Sequence, residues 1–536
     1  MQLSPSGHVD TYCRDHLPPD DQWPELIFEL PELQYPERLN AAVALLDDVI
    51  DKHGADRTCL HAPGVTPWTY GELRAAANRV AHVLTQDLGV LPDNRVLMRA
   101  PNNPWLAACF LGVLKAGGVA VATMPLLRAG ELSTIHEIAE VSVALCDHRL
   151  LADLDASAID VPTVLFGGDA DDDLTRRVLA HPETYDAVDT AADDVAMLAF
   201  TSGTTGRPKA TMHFHRDLLA VCDTYSRHVL RPTPDDVFVG TPPLAFTFGL
   251  GGLLLFPLHA GASTLLVEKA TPSELAGLIA EYDVTTCFTA PTAYKAMVAS
   301  GRVDRMTTLR SAVSAGEHLP LATWEAFRDA TGVEIIDGIG STELLHIFVS
   351  DAAGSMRPGS TGVAVPGYVA TVLDADGREV PPDTPGRLSI KGPTGCRYLH
   401  DPRQQLYVQD GWNITGDTFR RDADGYFFYE ARSDDMIVSS GYNIAAPEVE
   451  EAVLKHADVT ECGVVGIPDD ARGMLVKAFV VLRDGLDADD AKAKEIQDFV
   501  KQQIAPYKYP RAVEFVNALP RTATGKLQRF RLRDNP

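Results

Sequence analysis

An apolar stretch ending at Phe200 runs into Thr201-Ser202-Gly203-Thr204-Thr205-Gly206-Arg207-Pro208-Lys209. Two glycines let the main chain turn tightly and present N–H groups, the hydroxyl residues add donors, and Arg207 and Lys209 supply local positive charge. Such a loop is suited to holding polyphosphate. It departs from the Walker pattern, because Lys209 follows Gly206 by three positions and Ala210, not a hydroxyl residue, comes next. The usual kinase or ATPase inference therefore does not apply.

Further motifs follow in order. They are Ser314-Ala315-Gly316-Glu317, Asp337-Gly338-Ile339-Gly340-Ser341-Thr342-Glu343, Thr415-Gly416-Asp417, Arg432-Ser433-Asp434-Asp435 and Pro520-Arg521-Thr522-Ala523-Thr524-Gly525-Lys526. Each alone is weak. In this order they resemble the adenylate-forming superfamily of acyl-CoA synthetases, adenylation domains and luciferases. The chemistry explains the residue types. A carboxylate is a poor electrophile, so it attacks the α-phosphate of ATP, releases pyrophosphate and becomes an acyl-AMP with a good leaving group. Bringing two anions together calls for Mg²⁺ and cationic side chains in a water-poor site.

The resemblance implies roles for individual residues. Thr201 to Gly206, with Gly316 and Glu317, border the nucleotide. Glu343 is the Mg²⁺ carboxylate, Thr342 a phosphate donor, and Lys209 a phosphate-loop cation. Asp337, with Gly338, takes the adenine amine, and Ile339 stands where the family usually has an aromatic residue on the adenine face. Asp417 takes the ribose hydroxyls with Arg432 assisting; Ala431 replaces the usual glycine before that arginine. Lys526 bridges the acyl carboxylate and the α-phosphate during adenylation. Asp434 sits at the hinge about which a mobile C-terminal domain rotates between half-reactions, and Ser440-Gly441-Tyr442 line the tunnel through which coenzyme A delivers its thiol.

The acid is read from two segments. Pro242 to Gly251 contains Phe246, Thr247 and Phe248, and flat aromatic walls suit a ring. The run Gly340-Ser341-Thr342-Glu343-Leu344-Leu345-His346-Ile347-Phe348, with Leu30-Pro31-Glu32-Leu33-Gln34-Tyr35-Pro36-Glu37-Arg38-Leu39-Asn40, resembles the benzoate and 2-aminobenzoate CoA ligase branch. His346 donates either to the carboxylate or to a ring substituent, and Thr247 adds a hydroxyl that fits an ortho amine. The expected reaction is activation of an aromatic acid to its CoA thioester. The alternatives are a stand-alone enzyme loading an acyl carrier protein, a medium-chain acyl-CoA synthetase, which Leu244, Leu250 and Leu253 would also serve, and a nucleotide binder without catalysis.

Composition bounds these readings. Against 47 Lys+Arg stand 74 Asp+Glu, a net charge of −27 over 536 residues. A surface so acidic disfavours nucleic acid and anionic membranes, so phosphates must be held by specific loops. Eight cysteines are scattered singly without a C-x-x-C pair, which excludes a zinc or disulfide framework and fits a reducing compartment. Neither a secretory signal nor an apolar run near 20 residues is found, so a cytoplasmic protein is expected, monomeric or homodimeric.

The elements that must position these residues follow from periodicity. Thr69 with Glu72 suits a capping box opening a helix, and Arg95–Met98, Pro104–Lys115 and Val119–Ala122 read as a βαβ unit. Apolar runs at Thr163–Phe166, Val195–Thr201, Ser263–Val267, Thr285–Thr289 and Val333–Ile336 alternate with helical patterns. The expected fold is α/β: a large N-terminal domain of wound layers, residues 1–433, whose β-rich subdomain begins near 360, then a small mobile α+β domain, residues 434–536. A basic tail is expected to close the chain.

Overall fold

The computed structural model describes the chain except for residues 1–2, 202–207, 353, 433–435, 440–441, 470–472, 505–507, 522–526 and 534–536. Two compact units are present: residues 1–370 with 390–413, and residues 371–389 with 414–536. The second unit takes in the C-terminal region and part of the expected β-rich segment, whose residues 360–370 and 390–413 belong to the first, and the expected boundary at 433/434 falls outside the described residues.

The first unit is built on two sheets. In one, the strands run in the order Thr163–Phe166, Val143–Asp147, Arg95–Arg99, Val119–Thr123, Val195–Thr201 and Lys209–Phe214. All pair in parallel except the last, which returns antiparallel to its neighbour with Thr201 opposite Lys209. Strands covered on both faces read as near-continuous apolar runs, and Arg95–Arg99 and Val143–Asp147 are buried at every position, with charged residues only at their ends. The Pro104–Lys115 crossover helix begins where Asn103 accepts from the Leu106 N–H at 3.0 Å, with proline at the first helical position.

The other sheet has a parallel centre, Ile335–Gly340, Ser311–Ser314, Thr286–Thr289, Val237–Gly240, Ser263–Leu265 and Thr58–Ala62. Antiparallel strands close both sides, Ile347–Ser350 and Val363–Ala364 at one and Val65–Thr69 at the other. Val239, Leu265, Ile279, Cys287, Phe327 and Ile335 pack as its core. The capping box expected at Thr69 is present: its hydroxyl accepts from Glu72 N at 3.1 Å and the Glu72 carboxylate accepts from Thr69 N at 2.7 Å.

In the second unit, Trp412–Arg421 and Phe427–Arg432 pair antiparallel. A further sheet orders Tyr442–Ala445, Met436–Ser439, Gly473–Leu482 and Val459–Asp469, with Ala512–Phe515 parallel to the third of these. Helices Ala446–Leu454 and Asp490–Gln503 cover it through Val449, Val453, Ile496 and Val500. The stretch expected as a basic tail instead carries the helix Arg529–Arg533, and Arg529 meets Glu450 at 2.7 Å.

Candidate active site

Glu343 lies in the tight helical turn Thr342–Leu344, capped by Ser341, whose hydroxyl accepts from Leu344 N at 3.3 Å. The turn links Ile335–Gly340 to Ile347–Ser350. Those strands approach so closely at Gly340 that a Cβ there would stand 2.5 Å from the His346 carbonyl oxygen, which requires glycine. Glu343 is buried, and its Oε1 accepts from the Tyr398 hydroxyl at 2.5 Å. Lys209 Nζ donates to the same tyrosine oxygen at 2.5 Å and lies 3.4 Å from Glu343 Oε1.

Lys209 also stands 4.4 Å from the centre of the Tyr398 ring. Burial first, then the nearby Cys396 and Glu343, push the Tyr398 phenol far above its ordinary range, so it stays protonated and donates to the carboxylate. Tyr398 was missed by sequence reasoning, since it bears no motif and reaches the others only through the fold. Glu343 Oε2 has no hydrogen-bond partner among the described residues. A hard divalent cation takes oxygen ligands, so a carboxylate with one oxygen anchored and the other available fits Mg²⁺.

Asp337 lies on the strand Ile335–Gly340 and is half-buried as a residue, but its Oδ1 is shut off from solvent and has no partner among the described residues. Burial pushes its carboxyl up to about 8. An orphaned acceptor of this kind fits an incoming amine donor such as that of adenine. Gly338 and Ile339 continue the same strand, Ile339 opposite Val349. Gly316, at φ 87°, turns the chain after Ser311–Ser314 and leads into the half-buried Glu317.

His346 sits between the Glu343 turn and the strand Ile347–Ser350. It follows Leu345, which adopts φ 72°, ψ −40°, a strained backbone for a branched residue. The imidazole is buried in a box of rings, with centroids 4.6 Å from Phe256, 5.3 Å from Tyr225, 5.7 Å from Phe248 and 6.4 Å from Phe288. Neither ring nitrogen has a hydrogen-bond partner among the described residues. Burial lowers its pKa to about 3, so the ring is neutral at physiological pH. Phe246 caps the short helix Thr247–Leu250, which places Thr247 at its first turn and Phe248 beside His346. Tyr225, Phe256 and Phe288 were not anticipated; apolar residues in buried elements carry no sequence signal that separates pocket from core.

In the second unit, Asp417 and Arg432 are cross-strand partners in register. Gly416, before Asp417, is a positive-φ residue, at 78°, inside the strand Trp412–Arg421. Tyr442 opens the strand Tyr442–Ala445. Ser202, Gly203, Thr204, Thr205, Gly206, Asp434, Ser440, Gly441 and Lys526 lie outside the described residues. Thr201 ends its strand with a buried hydroxyl that has no partner among the described residues.

This geometry agrees with the comparisons. The model of the AMP-binding enzyme family matches residues 46–398, and that of the AMP-binding enzyme C-terminal domain matches residues 448–526. The chain is 36% identical to a benzoate–CoA ligase of Thauera aromatica, over 94% of this chain and 97% of the other. Among solved structures it resembles the anthranilate CoA ligase AuaEII in complex with anthranoyl-AMP, with TM-score 0.88 and 33% identity over 94% of this chain and 99% of that one. It also resembles a benzoate CoA ligase from Burkholderia xenovorans LB400, with TM-score 0.84 and 32% identity over 92% and 100%. No helix among the described residues is long and apolar enough to cross a membrane. With its motifs, its fold and both family models in agreement, the chain belongs to the AMP-binding enzyme family, on the benzoate-CoA ligase branch of the adenylate-forming superfamily.

Proposed function

We propose that the protein activates an aromatic carboxylate, benzoate or 2-aminobenzoate, to its CoA thioester with ATP. One observation carries this reading: three residues beyond Glu343 the chain enters a closed box of rings around a neutral, unpartnered imidazole. Flat aromatic walls suit a flat acid, to whose carboxylate or ortho substituent His346 would supply a polar group.

In the first step a carboxylate oxygen forms a bond to the α-phosphorus of ATP as the bond to pyrophosphate breaks. Lys209 and Lys526 offset the negative charge of the reactants. Glu343 would hold Mg²⁺, which when bound neutralises phosphate charge, and Thr342 would donate to a phosphate. Asp337 takes the adenine amine, and Asp417 with Arg432 takes the ribose hydroxyls. In the second step the CoA thiolate attacks the acyl carbon and AMP leaves. The C-terminal domain, turning at Asp434, exchanges the Lys526 face for one on which Ser440-Gly441-Tyr442 admit the thiol. The eight cysteines are all buried free thiols, which suits a cytoplasmic enzyme.

The deciding assay is pyrophosphate release from a panel of acids with ATP and Mg²⁺, with CoA present and absent. Benzoate or 2-aminobenzoate should lead the panel and yield a thioester with free CoA. A preference for hexanoate would replace the aryl reading with a medium-chain one. Adenylation without CoA acylation would point to a carrier-protein thiol as acceptor.

A further inference from the structure

Beneath Glu343 lies a buried polar cluster. His213 and Asp217 have fully buried side chains, as does Arg397, which is ion-paired with Asp217. His213 Nδ1 is 3.7 Å from Asp217 Oδ2, and the same oxygen accepts from Phe214 N at 3.0 Å. The Arg397 guanidinium stacks 4.0 Å from the Phe214 ring centre. The opposite edge of the imidazole makes one directed contact, with Nε2 2.8 Å from the carbonyl oxygen of Thr342. A carbonyl only accepts, so Nε2 carries the proton.

A buried ion pair gives little net stability compared with apolar packing, so its presence calls for another account. What distinguishes this cluster is the set of segments it joins. His213 shares a strand with Lys209 and, four residues away, lies on the same face. Thr342 immediately precedes Glu343. Arg397 immediately precedes Tyr398, and its carbonyl accepts from Met212 N at 2.8 Å, tying that segment to the same strand. His213 thus joins the strand of Lys209 to the turn of Glu343, and the adjacent Met212 joins the same strand to the segment of Tyr398.

We propose that His213 is a positioning residue for adenylation: its Nε2–H fixes the Thr342–Leu344 turn, and thereby the Glu343 carboxylate, relative to Lys209 and Tyr398. The proposal rests on the adenylation reading of this site.

Two amides test it. The glutamine amide nitrogen can occupy the place of Nε2, whereas that of asparagine corresponds to Nδ1 and cannot reach Thr342. Benzoate-dependent ATP–pyrophosphate exchange is measured for wild type, His213→Gln and His213→Asn against Mg²⁺, ATP and acid, with melting temperatures alongside. The expected result is kcat near wild type for His213→Gln. For His213→Asn, kcat falls about 10–100-fold and the Mg²⁺ requirement rises, while KM for the acid changes by no more than about twofold. Equal kcat for the two variants, a loss confined to KM for the acid, or a loss that follows melting temperature alone would overturn the proposal. No exchange by wild type with any acid would overturn the adenylation reading, and this proposal with it.

Discussion

Gly251 and His346 are fitted to each other: a Cβ on Gly251 would lie 2.3 Å from His346 Cδ2 and 2.7 Å from Nε2. The helix carrying Gly251 therefore presses its backbone against the imidazole edge, and the position of the ring is set from both sides. Gly251→Ala should displace His346 and narrow the aromatic box. Overpacking of this kind costs about 1–3 kcal/mol. The expected outcome is a rise in KM for the aryl acid with KM for ATP unchanged, read from steady-state pyrophosphate release; equal effects on both would place the fault outside the acid pocket.

His346 itself separates two poses. His346→Ala lowers kcat/KM for benzoate and 2-aminobenzoate alike if the imidazole meets the carboxylate, and chiefly for 2-aminobenzoate if it meets the substituent. Thr247→Ala should cost only 2-aminobenzoate, by the roughly 0.5–1.5 kcal/mol net of one hydrogen bond. The two variants against the two acids form a complete test. Because burial lowers the His346 pKa to about 3, the unfolded chain binds the extra proton between about 3 and 6.5. This site therefore withdraws stability as pH falls below about 6.5. His346→Phe should flatten the acid side of the unfolding curve if it packs equally well.

Asp337 has the opposite sign. Its carboxyl, pushed up to about 8, holds a proton in the fold that it loses in the unfolded chain above about 4. Its contribution to stability is thus lost as pH rises from about 4 to about 8. Asp337→Asn should gain melting temperature over wild type at pH 8 more than at pH 5, while weakening ATP binding measured by calorimetry. A uniform gain at both pH values would contradict the assignment.

Tyr398→Phe keeps the ring beneath Lys209 and removes the O–H between Lys209 and Glu343. Hydrogen bonds to charged groups contribute about 1.5–3 kcal/mol, so pyrophosphate exchange should slow by about tenfold or more. The KM for the acid should hold, and a melting temperature near wild type would exclude loss of fold as the cause.

Lys526→Ala should suppress adenylation by about 10²–10³-fold while sparing thioester formation from supplied acyl-AMP. Asp434→Pro should do the reverse, slowing CoA transfer and leaving pyrophosphate exchange intact, because proline limits a backbone that must rotate. Quench-flow measurement of each half-reaction distinguishes the two.

What was legible in the sequence was local. The Thr69–Glu72 cap, the Pro104–Lys115 helix and the Val195–Thr201 strand depend on neighbours within a few residues, and each stands where its pattern placed it. Tyr398 was illegible because its partner Lys209 is 189 residues away and no spacing records that meeting. The basic residues near the C-terminus looked like a solvated tail until Glu450, 79 residues earlier, supplied the partner for Arg529.

The pairing of Leu60 with Thr264 also bears on how the molecule is made. A ribosome working at about 5–20 residues per second needs roughly 10–40 s to deliver the second strand after the first. During that interval the Thr58–Ala62 and Val65–Thr69 hairpin has no sheet to join. Its outer strand carries Pro67, which lacks an N–H and cannot template another chain, and Val65 to Pro67 stay exposed in the finished protein. The inner strand, buried at Cys59 and Leu60 in the finished protein, is then the apolar edge of the nascent chain most open to premature association.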